Sequence, residues 1–173
     1  EMVIDSLIQK LMAHYEQTRR QDYLVFEIAE EYCFRAQDAK LKGRRQQARA
    51  DLSKAVEVWE KNISGYVDSG YECLMYYTIA NAFQRIDAYE DAIRYFELVI
   101  HQWPEFGRNW FAQHMIAKCY EQLLRNGIIS QEDAKFMVID ACHKYQERYP
   151  DSPAIATVQE LLNKYENLNP TLQ

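Results

Sequence analysis

Apolar residues recur every third or fourth position along most of the chain, and sustained alternation with period two appears nowhere. The first stretch, about Met2 to Arg19, places Val3, Leu7, Leu11 and Tyr15 at every fourth position. Glycine and proline interrupt helices for opposite reasons, one by backbone entropy and the other by its missing N–H. Here Gly43, Gly65, Gly70, Gly107, Gly127, Pro104, Pro150, Pro153 and Pro170 all fall in the gaps between periodic stretches. The intervening segments therefore read as eight helices. After the first come about Tyr23–Leu41, Arg45–Ile63, Tyr71–Arg85, Asp87 to just before Pro104, Phe106–Arg125, Ser130–Tyr149 and Ser152–Asn167. A polar connector, Ser64–Gly70, separates the third from the fourth. Asp87 with Glu90 resembles a capping box, Ser130 is placed to cap the seventh helix, and Ser152 with Pro153 to open the eighth.

Short connections between long helices make antiparallel neighbours, which leaves a bundle and a solenoid both open. Internal repetition decides between them. Between Tyr76 and Pro104, Phe83 follows Ala80 by three, Ala92 follows Ala80 by twelve, Phe96 follows Ala92 by four and Pro104 follows Ala92 by twelve. Two antiparallel helices approach closely only where small residues meet, so Ala80 and Ala92 are expected to be buried at a crossing, with Phe83 and Phe96 filling the space beside it. Upstream, Ala36 and Ala48 are again twelve apart, followed by Leu52 and Ala55, with Gly43 in the turn. That copy departs from the pattern at Ala39 and Glu60, and its offset to the next is 44 residues (Ala36 to Ala80). Downstream, Ala117 and Tyr120 match a first helix, Val138, Cys142 and Tyr145 a second, and Pro150 ends it. From Ala117 to Pro150 there are 33 residues, against 24 from Ala80 to Pro104, which puts an insertion of nine around Leu123–Ser130.

This spacing resembles the tetratricopeptide repeat, a helix–turn–helix unit of about 34 residues, with Tyr76 in the place of the usual tryptophan. The resemblance covers about Tyr23 to Asn167 and is most complete in the middle copy. Tyr149-Pro150-Asp151-Ser152-Pro153 is similar to the helix ends of the bacterial cell-envelope branch of that family. The resemblance implies a single all-α domain over 1–173, a right-handed solenoid of hairpins at 23–63, 71–104 and 106–150. Helices at 1–20 and 152–167 would cap its two ends. It also implies a concave surface lined by the first helix of each repeat. There the pattern places Tyr77, Asn81, Gln84 and Arg85, then Phe111, His114, Lys118 and Glu121, and Cys33, Gln37 and Lys40 from the first copy. A peptide or partner protein is the expected ligand. The carboxylate-clamp subfamily does not fit, because of its set positions only Asn81 is matched.

Composition narrows the function further. Twenty basic against 26 acidic residues give a net charge of −6, which argues against a nucleic-acid binder working through a broad basic surface. Apolar residues at 48% suffice for a packed core, and no apolar run approaches the roughly 18 residues of a membrane helix. No signal peptide is visible. The phosphate-loop, dinucleotide, zinc-protease and nucleophile-elbow motifs are not found, and carboxylate pairs such as Glu30-Glu31 diverge on a helix. The chain is therefore expected to be non-catalytic, with no cofactor and no metal. Its alternative role is a structural or oligomerisation segment of a larger protein. Cys33, Cys73, Cys119 and Cys142 form no CxxC pair and sit among apolar residues, so four buried free thiols are expected, with a Cys119–Cys142 disulfide as the alternative. The compartment stays open between the bacterial periplasm and the cytoplasm. Finally, Lys40, Lys42, Arg44, Arg45 and Arg49 follow one another with no acidic residue between them. This run is either a solvated turn or an anchor for phosphate, acidic lipid or an acidic partner.

Overall fold

The computed structural model describes Ser6, Gln9, Lys10 and Met12 together with residues 21–62 and 71–168. The expected first helix, apart from those four positions, and the connector Ser64–Gly70 lie outside the described residues. What is described is all-α: α1 Gln21–Leu41, α2 Arg45–Asn62, α3 Tyr71–Arg85, α4 Tyr89–Gln102, α5 Asn109–Arg125, α6 Gln131–Arg148 and α7 Ile155–Glu166. The chain divides into two compact units between Asp87 and Ala88. The division falls within the hairpin expected at 71–104, so Ala80 belongs to one unit and Ala92 to the other. Both are fully buried.

In the first unit α2 packs along α1, and α3 packs against both. The buried residues of α2 are Ala48, Asp51, Leu52, Ala55 and Trp59, a stripe at three- and four-residue spacing. They close on Val25, Ile28, Ala29, Cys33, Ala36 and Ala39 of α1. Trp59 meets Tyr76 of α3 edge-to-face, with ring centroids 6.4 Å apart. Arg35 pairs with Asp51, and both Arg35 and Lys54 lie over the Tyr32 ring, so α1 and α2 run antiparallel. The turn between them closes on Gly43 at φ 73°. The Gly43 N–H donates to the Lys40 carbonyl and the Arg44 N–H to the Ala39 carbonyl, the paired closure that a left-handed glycine permits.

In the second unit consecutive helices pack in order, α4 on α5, α5 on α6 and α6 on α7. Phe96, Tyr145, Tyr165, Val138 and Val158 are its largest fully buried side chains together with Val99. Gln113 Nε2 of α5 donates to the Ala141 carbonyl of α6, and Lys135 at the start of α6 donates to the Glu166 and Leu168 carbonyls at the end of α7. These pairings run α5 against α6, and α6 against α7, in opposite directions. Gly127 at φ 67° ends α5 by the same paired closure as Gly43.

Three expected helix starts move. The fifth expected helix opens at Tyr89 rather than Asp87, which takes φ 64° and closes the end of α3, its N–H bonded to the Gln84 carbonyl, while Ala88, just before α4, has no side-chain cap. Aspartate tolerates this left-handed state better than most residues do. The sixth expected helix opens at Asn109 rather than Phe106, because the buried Asn109 amide donates to the Trp103 and Pro104 carbonyls and folds the preceding residues into a turn. Ser152 does not cap α7, which starts at Ile155; its hydroxyl pairs with the Tyr145 hydroxyl instead. Ser130 does cap α6, its Oγ accepting from the Asp133 N–H at 3.0 Å.

Candidate functional site

The residues expected on a binding surface fall into two groups, one in each unit. In the first, the end of α1 lies beside the end of α3. Arg85 Nη1 donates to Gln37 Oε1 at 2.9 Å. Lys40 Nζ donates to the Arg85 carbonyl at 2.6 Å and to Asp87 Oδ1 at 2.9 Å. Gln37, Lys40 and Arg85 are thus brought together, with the half-buried Gln84 on the same helix as Arg85. Two expected members are not available at this surface. Cys33 and Tyr77 are both buried, since their positions on α1 and α3 face the helix packed against them. Asn81 is half-buried and turns its Nδ2 to the Tyr77 carbonyl one turn back, at 2.7 Å.

The second group sits on α5. Phe111, His114 and Lys118 are all half-buried. Phe111 meets Trp110 edge-to-face. The His114 ring packs edge-to-face against Tyr145, and its Nε2 is buried with no hydrogen-bond partner. Burial and then the nearby Lys118 charge hold the imidazole below its usual range, which keeps it neutral at physiological pH. Lys118 is engaged by Glu121, a residue only 3% exposed that gathers three cations. Glu121 Oε2 accepts from Lys118 at 3.1 Å, and Oε1 from Lys164 of α7 at 2.5 Å and from Arg125 at 3.4 Å. Burial alone would raise the Glu121 carboxyl, but the hydrogen bonds and charges of Lys164 and Lys118 outweigh it and hold it low. The spacing placed Glu121 on this face but did not show it as a hub, because Lys164 lies 43 positions away.

On another side of α5 a polar cleft opens between α4 and α6. Glu97, His101, Gln113, Tyr120, Asp140 and Arg148 contribute to its lining. Burial first, then the charges of Glu97 and Asp140, push the Tyr120 phenol up, so it remains a hydrogen-bond donor. This cleft carries both charge signs, and Asp140 already pairs with Lys144 at 2.7 Å.

The expected thiol chemistry holds: Cys33, Cys73, Cys119 and Cys142 are free and buried. Burial pushes Cys33, Cys119 and Cys142 up to about 12 and Cys73 to about 11, so none is a nucleophile near neutral pH. Iodoacetamide at neutral pH should therefore modify the folded chain far more slowly than the denatured chain, which should take up four labels by mass spectrometry. Two missing labels mapped to Cys119 and Cys142 would contradict the free-thiol assignment.

The basic run is exposed at Lys42, Arg44, Arg45 and Arg49, whereas Lys40 is tied to the end of α3. Neutralising Lys42, Arg44 and Arg45 together should leave stability within about 0.5 kcal/mol. Lys40→Ala removes a tie between α1 and α3 and should cost about 1 kcal/mol. Equal effects of the two variants in denaturant melts would refute this division of roles.

Among the described residues no group of three His, Cys, Asp or Glu is placed to hold a metal ion, and no helix is long and apolar enough to cross a membrane. Comparison of the sequence with models of known protein families and with curated proteins finds no match.

Proposed function

We infer that this chain is a helical-repeat scaffold of the tetratricopeptide kind, binding a peptide or partner protein without catalysing a reaction. One observation carries the reading. Within each unit, alternate helices meet through side chains and run in the same direction. The end of α1 meets the end of α3 through Lys40 and Arg85, and the late part of α5 meets the late part of α7 through Glu121 and Lys164. Stacked hairpins produce this arrangement when each buries its apolar side on the next. It presents rows of polar side chains from alternate helices, the kind of surface that reads an extended or helical segment. Gln37, Gln84 and Arg85 supply hydrogen bonding on one unit, and Phe111 and Lys118 supply contact area and charge on the other.

Selection of binders from a random peptide library, followed by titration against isotope-labelled protein, tests this directly. The expected result is a set of enriched peptides whose resonance shifts centre on α3 or α5. Lys118→Ala or Arg85→Ala should then weaken binding by about 1–3 kcal/mol, as for an interface hot spot. Shifts confined to the cleft lined by Glu97 and Asp140 would move the site to the other side of α5. A concentration-dependent dimer in light scattering, with no enriched peptide, would favour the assembly role. Phe136 and Ile128, exposed at 73% and 53% near the start of α6, are the side chains such a dimer would cover.

A further inference from the structure

We propose that the α1–α2 turn is a peripheral docking tip for an anionic lipid surface. Two observations meet there. The first is charge. The run Lys40, Lys42, Arg44, Arg45 and Arg49 supplies five cations in a chain whose net charge is −6. Lys40 is matched by Asp87, and Lys42 and Arg44 share Asp38, which leaves a local surplus of three positive charges. Arg45 and Arg49 have no carboxylate partner among the described residues, and at four-residue spacing they share a face of α2. The first turn of α2 also carries no acidic residue, so nothing offsets Arg45 locally.

The second observation is an apolar side chain in the middle of that run. Leu41 is 86% exposed, more than any other large apolar residue described, and Phe34 at 55% stands two turns back along α1. Residues 41–46 are all exposed, so the feature is a protruding tip and not a groove. A tip of this shape offers little enclosure to a peptide, which needs flanking walls to bury its side chains. It does match a broad surface of negative charge with an apolar layer beneath it. Cations held near such a surface each strengthen binding about fivefold, and a leucine entering the headgroup boundary adds to that. The rest of the molecule, being acidic, is repelled, so contact is confined to this tip.

The test is flotation of the whole 173-residue chain with vesicles of phosphatidylserine and phosphatidylcholine, and with phosphatidylcholine alone. Binding to the first and not the second is expected, falling as salt shortens the screening length. Charge reversal of Arg44, Arg45 and Arg49 to Glu should lower binding by well over a hundredfold, since loss of the three cations alone accounts for about that. Leu41→Ser should lower it about fivefold. All four positions are exposed, and circular dichroism melts verify that the variants fold. The proposal is overturned if wild type ignores anionic vesicles, binds both kinds equally, or floats as well after charge reversal. It is equally overturned if poly-glutamate binds the tip while vesicles do not, since the partner would then be an acidic peptide.

Discussion

Replacing Asp51 with alanine is expected to destabilise the first unit by about 3 kcal/mol, at the lower end of the range for removing one partner of a buried ion pair. Asp51 lies on the packed stripe of α2 and its side chain is only 2% exposed; Arg35 of α1, at 9%, stands 3.5 Å away. Oδ2 accepts from Gln47 at 3.0 Å, while Oδ1 is buried without a hydrogen bond and is held by the guanidinium charge alone. Removing the carboxylate takes a counter-charge away from a guanidinium that is itself largely buried at the helix crossing. The Tyr32 ring, 5.4 Å from the Arg35 Cζ, compensates in part, which is why the lower end of the range applies. Replacing both partners, Arg35→Met with Asp51→Leu, should recover most of the loss, because neither charge then needs solvating. Denaturant melts with unchanged slope, together with faster amide exchange across α1 and α2, are the expected readout. A loss under about 1 kcal/mol for Asp51→Ala would mean that water reaches Arg35 and that the pair is not sealed.

That pair illustrates which features were legible beforehand. Helix spans came through well because their determinants are local: glycine and proline stand only in gaps, and Gly43 and Gly127 end helices by taking a left-handed backbone. Residues with an alternative tertiary partner misled. Ser152 has the chemistry of a cap, yet Tyr145 claims its hydroxyl; Asp87 looks like the start of α4, yet it closes α3 and receives Lys40. Spacing put His114 and Lys118 on one face of α5, and they do share it, but spacing carries no information on depth. Tyr77 followed the same rule and is buried. Asp51 offered the one usable warning. It lies three residues after Ala48 and four before Ala55, on a stripe otherwise made of small and apolar side chains, so a buried charge with a partner on α1 was implied by position. Arg35 itself could not be named without knowing how α1 turns against α2.

Glu121→Gln should reduce stability by about 2 kcal/mol at neutral pH, as expected for losing charged hydrogen bonds. Glu121 is as buried as Asp51, yet its three partners reach water: the Lys118, Lys164 and Arg125 side chains are 38%, 51% and 59% exposed. They can be resolvated when the carboxylate is lost, which keeps the effect below that of Asp51→Ala. The pH dependence follows from the direction of the shift. The folded carboxyl is held low, so the unfolded chain binds its proton first as pH falls. The contribution is complete above the unfolded value near 4.3 and is lost as pH drops through the folded value. Wild type and Glu121→Gln should therefore differ fully around neutrality and converge as the pH falls below the unfolded value and through the folded one. As a control, Asp140→Asn breaks an exposed pair with Lys144 and should change stability by no more than about 0.5 kcal/mol. A gap between wild type and Glu121→Gln that stays constant from neutral to strongly acidic pH would show that packing, and not charge, makes Glu121 matter.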